Sequence, residues 1–147
     1  MRKPLVVGNW KMNGSLKLTG ALLRAIEGGI NDKISSEVGV CVPFVYIALA
    51  IDTVDATRLT IGAQTVSEFE SGAYTGEISA SMLAELACRW VLVGHSERRM
   101  LFNESNQALV AKVLAAQRAG LMPIYCVGES EADYQSGKTL NVINEQV

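Results

Sequence analysis

Short apolar runs recur along the chain and are separated by segments with helical periodicity. Runs of four to eight consecutive apolar residues are typical of strands buried on both faces of a parallel sheet. Each run here ends at, or is followed by, a glycine, a proline or a polar residue, where a loop is expected to begin. The five candidate strands occupy residues 5–8, 38–42, 59–64, 90–93 and 121–128.

The segments between these runs carry helix signals. Ser15 is a candidate N-cap for the first helix, and the glycines at 28–29 are its stop signal. Between them, Leu18, Leu22 and Ile26 recur at helical spacing. Further helices are predicted over residues 44–54, 79–86 and 104–119, and after residue 137.

Strand and helix alternate at intervals of roughly 20–35 residues, which predicts right-handed βαβ units and a parallel sheet covered by helices. The fold class is therefore α/β. No linker or low-complexity segment divides the chain, so we predict a single domain over residues 1–147. A polar loop is predicted over residues 67–77, and loops of about a dozen residues without secondary structure tend to be functional.

Composition restricts the class of partner. The chain has 13 basic and 15 acidic residues with no block of like charge, which argues against nucleic acid or a membrane surface as a partner. No apolar run approaches the roughly 18 residues needed to span a bilayer.

The three cysteines, Cys41, Cys88 and Cys126, are widely spaced in apolar surroundings and are expected to be buried free thiols. We expect a cytoplasmic protein that needs no metal ion and no cofactor.

The sharpest change in polarity follows the fourth candidate strand, at Gly94. His95, the only histidine in the chain, comes next, and a hydroxyl, a carboxylate and two guanidinium groups follow it directly. Reactive side chains gather at the carboxyl ends of parallel strands, so this stretch is a candidate site. The alternative is a charged surface turn with a structural histidine. Glu97 would then be a first-turn carboxylate favoured by the helix dipole, and Arg98 and Arg99 are expected to form structural ion pairs with Glu104.

Polar side chains also follow the other candidate strands. Asn9 and Lys11 follow the first strand, and Gln64 ends the third. If the first strand extended to Lys11, its period of two would place Asn9 and Lys11 on the same side. An ammonium group beside an amide suits an anionic substrate, whereas the alternative for Lys11 is a solvated side chain in a turn.

Five motifs occur in the order and at the spacing of one known family. They are GNWKMN at 8–13, GAQ at 62–64, GAYTGE at 72–77, GHSERR at 94–99 and CVGE at 126–129. By these motifs the whole chain resembles the triosephosphate isomerase family. The resemblance implies a parallel (β/α) barrel, of which this chain would hold about five of the eight strands. It also implies interconversion of dihydroxyacetone phosphate and glyceraldehyde 3-phosphate through an enediolate, in glycolysis and gluconeogenesis, without a cofactor.

The same resemblance implies roles for individual residues. Asn9 and Lys11 would bind the phosphorylated triose, and Lys11 would offset the negative charge on the phosphate and the enediolate. His95 would be the electrophile that polarises the carbonyl group and relays protons between the two oxygens, and Glu97 would be a supporting carboxylate. A short helix beginning after His95 would disfavour an imidazolium ion through its dipole.

The polar loop would contribute to a subunit interface. Resemblance to the family implies a homodimer in which Thr75, Gly76 and Glu77 reach into the neighbouring subunit. Thr75 would then lie beside the substrate-binding residues of that subunit.

The sequence departs from the family in one respect. The family's general base is a glutamate in a segment running roughly Glu-Pro-Val-Trp-Ala-Ile-Gly, and the 147 residues contain no such segment and no glycine-rich phosphate-binding turns. Val147 falls inside an amphipathic pattern without a C-cap, so we interpret the sequence as the amino-terminal portion of the fold. We expect the chain alone to be inactive. The alternative is a non-catalytic module that self-associates through open strand edges.

Overall fold

The computed structural model describes residues 3–147, and its centre is a sheet of five parallel strands arranged in the order of the sequence. The sheet curls into part of an α/β barrel, which confirms the predicted fold class. All five predicted strands are present. They are β1 (Leu5–Asn9), β2 (Glu37–Val42), β3 (Thr60–Ala63), β4 (Trp90–Val93) and β5 (Met122–Tyr125).

Helices connect successive strands. After a 3-10 turn at Phe44–Tyr46, the second connection continues as a helix. Within residues 3–147, none of the helices is long and apolar enough to cross a membrane. The seven α-helices are α1 (Leu16–Gly29), α2 (Ile47–Thr53), α3 (Ala80–Glu85), α4 (Ser96–Leu101), α5 (Asn106–Arg118), α6 (Glu131–Gln135) and α7 (Thr139–Gln146).

Serine side chains cap four of these helices. The Oγ atom of Ser15 accepts a hydrogen bond from the Leu18 amide at 3.1 Å, as predicted. Ser105 caps α5, which therefore begins two residues later than the predicted start at residue 104. Ser130 caps α6, a helix of five residues that is too short for hydrophobic periodicity to indicate. The fourth cap is Ser79 at the start of α3.

Alternate residues of each strand point to opposite faces, and both faces carry apolar side chains. On the outer face, Val42, Ile61 and Val93 belong to a core that also includes Leu23 of α1 and Leu109 of α5. On the concave face, a smaller core contains Cys41, Trp90 and Leu92. In β2, β3 and β4, burial of both faces explains why these strands are continuous apolar runs in the sequence.

Trp90 fills the concave face because two glycines make room for it. Its side chain is almost fully buried, and its indole Nε1 donates a hydrogen bond to Thr60 Oγ1 at 2.6 Å. A Cβ atom added at Gly39 would lie 2.8 Å from this Nε1, and one added at Gly62 would lie 2.8 Å from Trp90 Cβ. No real Cβ atom tolerates such distances, so the glycines on β2 and β3 are a packing requirement.

The cysteines differ in burial. Cys41 and Cys88 are buried free thiols, as expected, and burial raises the pKa of Cys41 to about 12 and that of Cys88 to about 11. Cys126 is free but only partly buried, so the expectation of burial was wrong for this residue. It lies just beyond the end of β5, where the chain leaves the sheet.

Candidate active site

Side chains from three strand ends meet in one cleft at the carboxyl edge of the sheet. The cleft has a volume of about 300 Å³, and its polar lining includes Asn9, Lys11, Gln64, His95 and Glu97. Asn9 is the last residue of β1, and the other four residues follow β1, β3 or β4. They meet because the carboxyl ends of parallel strands open on the same side. The structure therefore brings together the polar residues that the sequence placed after separate strands.

Lys11 reaches the cleft through a left-handed backbone conformation that was not predicted from the sequence. β1 ends at Asn9, and Lys11 has a φ of 52°. The strand does not extend to Lys11, so the condition under which the two residues would share a strand face is not met. The left-handed backbone is held on both sides. Asn9 Oδ1 accepts a hydrogen bond from the Lys11 amide at 3.0 Å, and Gln64 Nε2 donates to the Lys11 carbonyl at 2.9 Å.

The ammonium group of Lys11 pairs with Glu97. Lys11 Nζ lies 2.7 Å from Glu97 Oε1, and both side chains are partly exposed to the cleft. The hydrogen bond from Lys11 holds the pKa of Glu97 below its usual range. The Glu97 carboxylate therefore stays charged at neutral pH, and it fixes the ammonium group at the mouth of the cleft.

His95 caps helix α4 with its own side chain. Its Nδ1 atom accepts a hydrogen bond from the Glu97 amide at 3.2 Å. An accepting Nδ1 carries no proton, so the proton of the neutral ring lies on Nε2. His95 thus has a defined tautomer with an N–H donor on Nε2, and α4 begins immediately after it, as the sequence predicted.

A group of charged residues packs behind this cleft. Glu104 Oε1 accepts hydrogen bonds from Arg98 Nε at 2.7 Å and from Lys112 Nζ at 2.5 Å. Burial opposes ionisation of Glu104, but the hydrogen bonds from Lys112 and Arg98 outweigh it and hold its pKa below the usual range. The predicted pair between Arg98 and Glu104 is present.

Arg99 does not follow that prediction. Its guanidinium group donates instead to the carbonyl oxygens of Gly94 and Cys126 and to the Asn106 side chain. The expected ion pair with Glu104 was therefore wrong. α4 directs successive arginines to different neighbours, because adjacent positions on a helix do not face the same way.

The apolar wall of the cleft was not predicted. Phe44 and Phe102 line it beside the polar residues. Phe44 directly follows Pro43 at the end of β2, so its position after a strand is the signal that could have indicated it.

The loop over residues 67–77 stands apart from the cleft. The rings of Phe69 and Tyr74 stack with centroids 3.9 Å apart, and the Glu77 amide donates to the Tyr74 carbonyl. Thr75 and Gly76 are exposed, as is Glu77. Within residues 3–147, the cleft lining does not include Thr75, and the interface role of the loop stays a prediction.

A model of the triosephosphate isomerase family matches residues 4–147. The chain belongs to the triosephosphate isomerase family. It is 50% identical over 146 residues to the triosephosphate isomerase of Coxiella burnetii (strain Dugway 5J108-111), a match that covers 99% of this chain and 57% of that relative. The Thiobacillus denitrificans triosephosphate isomerase is 51% identical over 147 residues, covering 100% of this chain and 58% of the relative.

A solved member of the triosephosphate isomerase family has the same fold. The crystal structure of the Bartonella henselae enzyme superposes with a TM-score of 0.92 at 40% identity, covering 99% of this chain and 60% of that one. The family resemblance noted in the sequence is thereby confirmed. The chain spans less than three fifths of the length of the curated relatives cited above.

Proposed function

We propose that this chain supplies the electrostatic part of an active site that interconverts dihydroxyacetone phosphate and glyceraldehyde 3-phosphate. The observation that supports the proposal is the meeting of Lys11, His95 and Glu97 in one cleft. Lys11 Nζ lies 2.7 Å from Glu97 Oε1, and His95 Nδ1 lies 3.6 Å from Glu97 Oε2. The family assignment supports the substrate class.

The isomerisation moves a proton between two neighbouring carbon atoms, and negative charge develops on the carbonyl oxygen as the enediolate forms. The Nε2–H group of His95 would donate to that oxygen and return a proton to the second oxygen. Lys11 would lie close to the phosphate and the developing charge. Both interactions strengthen as charge develops, which is the property that accelerates a reaction. Asn9 would help bind the substrate, and Glu97 would hold the Lys11 ammonium group in place.

Proton abstraction from carbon also needs a general base. The family's base segment does not occur in the 147 residues, and loss of a general base costs about 10²–10⁴-fold in rate. We propose that the 147-residue chain alone is inactive, and that it becomes active when completed by the carboxyl-terminal part of a relative.

A chimera tests this proposal. Residues 1–147 are fused to the part of the Coxiella burnetii relative that lies beyond its match to this chain, and isomerase activity is measured for the chimera and for the 147-residue chain. We expect turnover from the chimera only. Comparable turnover by the 147-residue chain would contradict the proposed division of the site.

Substitutions in the chimera test the residues of this chain. Lys11→Met and His95→Gln should each lower kcat/KM by about 10²-fold or more. The matched control is Lys17→Met, because Lys17 is exposed on α1 and does not line the cleft. If Lys11→Met behaves like Lys17→Met, Lys11 has no part in the reaction.

A second candidate is a non-catalytic module that associates with itself. Val6 on strand β1 is 60% exposed, and Leu5 is also exposed, so one edge of the described sheet presents apolar surface. Sedimentation of the 147-residue chain tests this candidate. A monomer that does not bind a hydrophobic dye would argue against it.

We also propose that the loop containing Thr75 forms a dimer interface in the completed fold. A charged substitution such as Thr75→Arg should then convert a dimeric chimera to a monomer in sedimentation. A dimer that persists unchanged would contradict this role.

A further inference from the structure

Arg99 joins the carboxyl ends of two neighbouring strands. Its Nε atom donates to the Gly94 carbonyl at 2.8 Å, just beyond β4, and its Nη2 atom donates to the Cys126 carbonyl at 3.0 Å, just beyond β5. The Tyr125 hydroxyl lies 3.2 Å from Nη2. One planar group thus satisfies the backbone at both strand ends, which the five fixed donors of a guanidinium make possible.

Arg99 is connected to the candidate site through the backbone of Gly94. Gly94 has a φ of 78°, and an added Cβ atom would lie 2.9 Å from Arg99 Nη2. The missing side chain therefore serves two purposes, because it permits the left-handed turn and leaves space for the guanidinium. His95 is the next residue, so the peptide that Arg99 holds is the one that carries the imidazole.

The guanidinium group is itself held by the elements around it. Asn106 Oδ1 accepts from Arg99 Nη1 at 2.6 Å, while Asn106 Nδ2 donates to the Glu145 carbonyl on α7. The Tyr125 hydroxyl donates to the Gln146 carbonyl at 2.5 Å. Arg99 is thereby connected through neutral groups to α5, β5 and α7, and its position does not depend on one flexible ion pair.

We infer that Arg99 is a positioning residue for His95. By holding the Gly94 carbonyl, it fixes the turn into α4, where the Glu97 amide donates to His95 Nδ1 and selects the Nε2–H tautomer. This inference rests on the proposed function, in which that N–H group polarises the substrate carbonyl. Arg99 itself does not line the cleft, so its effect on catalysis passes through His95.

Nitrogen NMR of the 147-residue chain tests the structural part. His95 is the only histidine, so its ring nitrogens are observed without assignment. We expect two well-separated ¹⁵N signals, as a single neutral tautomer requires. In Arg99→Met the two signals should move toward each other, because the ring then exchanges between tautomers. Arg118→Met is the matched control, since Arg118 is largely exposed and its Nε lies 3.5 Å from Glu70.

Kinetics of the chimera test the catalytic part. Arg99→Met should lower kcat by about 10–100-fold while KM changes less than about twofold, because misplacement of a reacting group affects the chemical step. Arg99→Lys should give an intermediate loss, since an ammonium group cannot hold both carbonyl oxygens with the same geometry. If Arg99 had a purely structural role, its substitution would lower the melting temperature and leave kcat per folded molecule unchanged.

Failure of the proposed function and failure of the inference about Arg99 give different experimental results. If the parent chimera is inactive, the proposed function fails, and the NMR comparison still decides whether Arg99 fixes the His95 ring. If Arg99→Met does not fold by circular dichroism, Arg99→Lys provides the test. Unchanged ring signals and unchanged kcat in the folded variants would overturn the inference.

Discussion

Lys11 Nζ lies 2.7 Å from Glu97 Oε1, although 86 positions separate the two residues in the chain. Two strands, β2 and β3, lie between the strands that deliver them. The contact forms because the sheet is parallel and curled, so that side chains from non-neighbouring strand ends converge over its edge. It is the closest link between the two motifs, GNWKMN and GHSERR, that carry the candidate site.

The ionisation of Glu97 should depend on Lys11. The Lys11 hydrogen bond lowers the pKa of Glu97, so the carboxyl signal in ¹³C NMR should titrate below the usual value of about 4.3. The pair is complete above that pH and is lost as the pH falls through the lowered pKa. In Lys11→Met the midpoint should rise toward the usual value, and in Lys17→Met it should not move. An unchanged midpoint in Lys11→Met would show that another group lowers the pKa.

Gly94→Ala should destabilise the fold more than a glycine substitution with the same backbone strain. Gly120 provides the comparison, because its φ is also 78° and an added Cβ atom meets no atom within 4 Å. Gly120→Ala should cost about 1 kcal/mol of unfolding free energy from the left-handed backbone. Gly94→Ala should cost about 1–3 kcal/mol more, because the new methyl group collides with Arg99 and Leu109. Equal losses in urea denaturation would contradict the close approach.

Glu104→Gln should be strongly destabilising. Glu104 is the charged partner of Lys112, whose side chain is only 9% exposed. Removal of the carboxylate leaves that ammonium group buried without a counter-charge, which costs about 3–5 kcal/mol. The control is Glu85→Gln at the exposed end of α3, which should change stability by less than about 0.5 kcal/mol. Chemical denaturation of the two variants measures the difference.

The same carboxylate should make stability depend on pH. The pKa of Glu104 is lowered in the folded chain, so its ionisation stabilises the folded state above the unfolded value of about 4.3. That contribution disappears as the pH falls through the lowered pKa. The unfolding free energy of the parent should therefore fall in this range, and that of Glu104→Gln should fall less steeply. Parallel pH curves for the two proteins would assign the acid sensitivity to other groups.

The three thiols should differ in reactivity. Burial raises the pKa of all three thiols, but Cys41 and Cys88 are buried whereas Cys126 is partly exposed to a reagent. The thiolate is the reactive form, so brief alkylation at pH 8 should modify Cys126 first. Mass spectrometry of the digested protein identifies the modified residue. In urea all three should react, and early modification of Cys41 in the native chain would show that the concave core opens.

Much of the fold is encoded locally. Apolar runs bounded by glycine, proline or polar residues located every strand, and the serines at 15 and 79 located two helix starts. α6 was missed because five residues carry too little periodicity. The early predicted start of α5 arose because Glu104 looks like a first-turn residue, while its side chain is used in an ion-pair network.

The local sequence pattern identified the polar residues of the candidate site but did not predict the backbone conformation of Lys11. Asn9, Lys11, His95 and Glu97 were identified by residue type and by their place after strands, and the structure brings them into one cleft. The conformation of Lys11 could not be read from a period of two, because Asn9 and Gln64 hold its backbone in a left-handed turn.

The sequence by itself determined the order of the strands and helices, the family and the identity of the polar residues at the strand ends, since these depend on local pattern and motif. Only the tertiary structure decided which groups meet. Glu97 contacts Lys11, Arg99 holds the Gly94 and Cys126 carbonyls instead of Glu104, and Trp90 occupies the space left by Gly39 and Gly62. These contacts depend on the curl and register of the sheet, which arise from the packing of all five strands together.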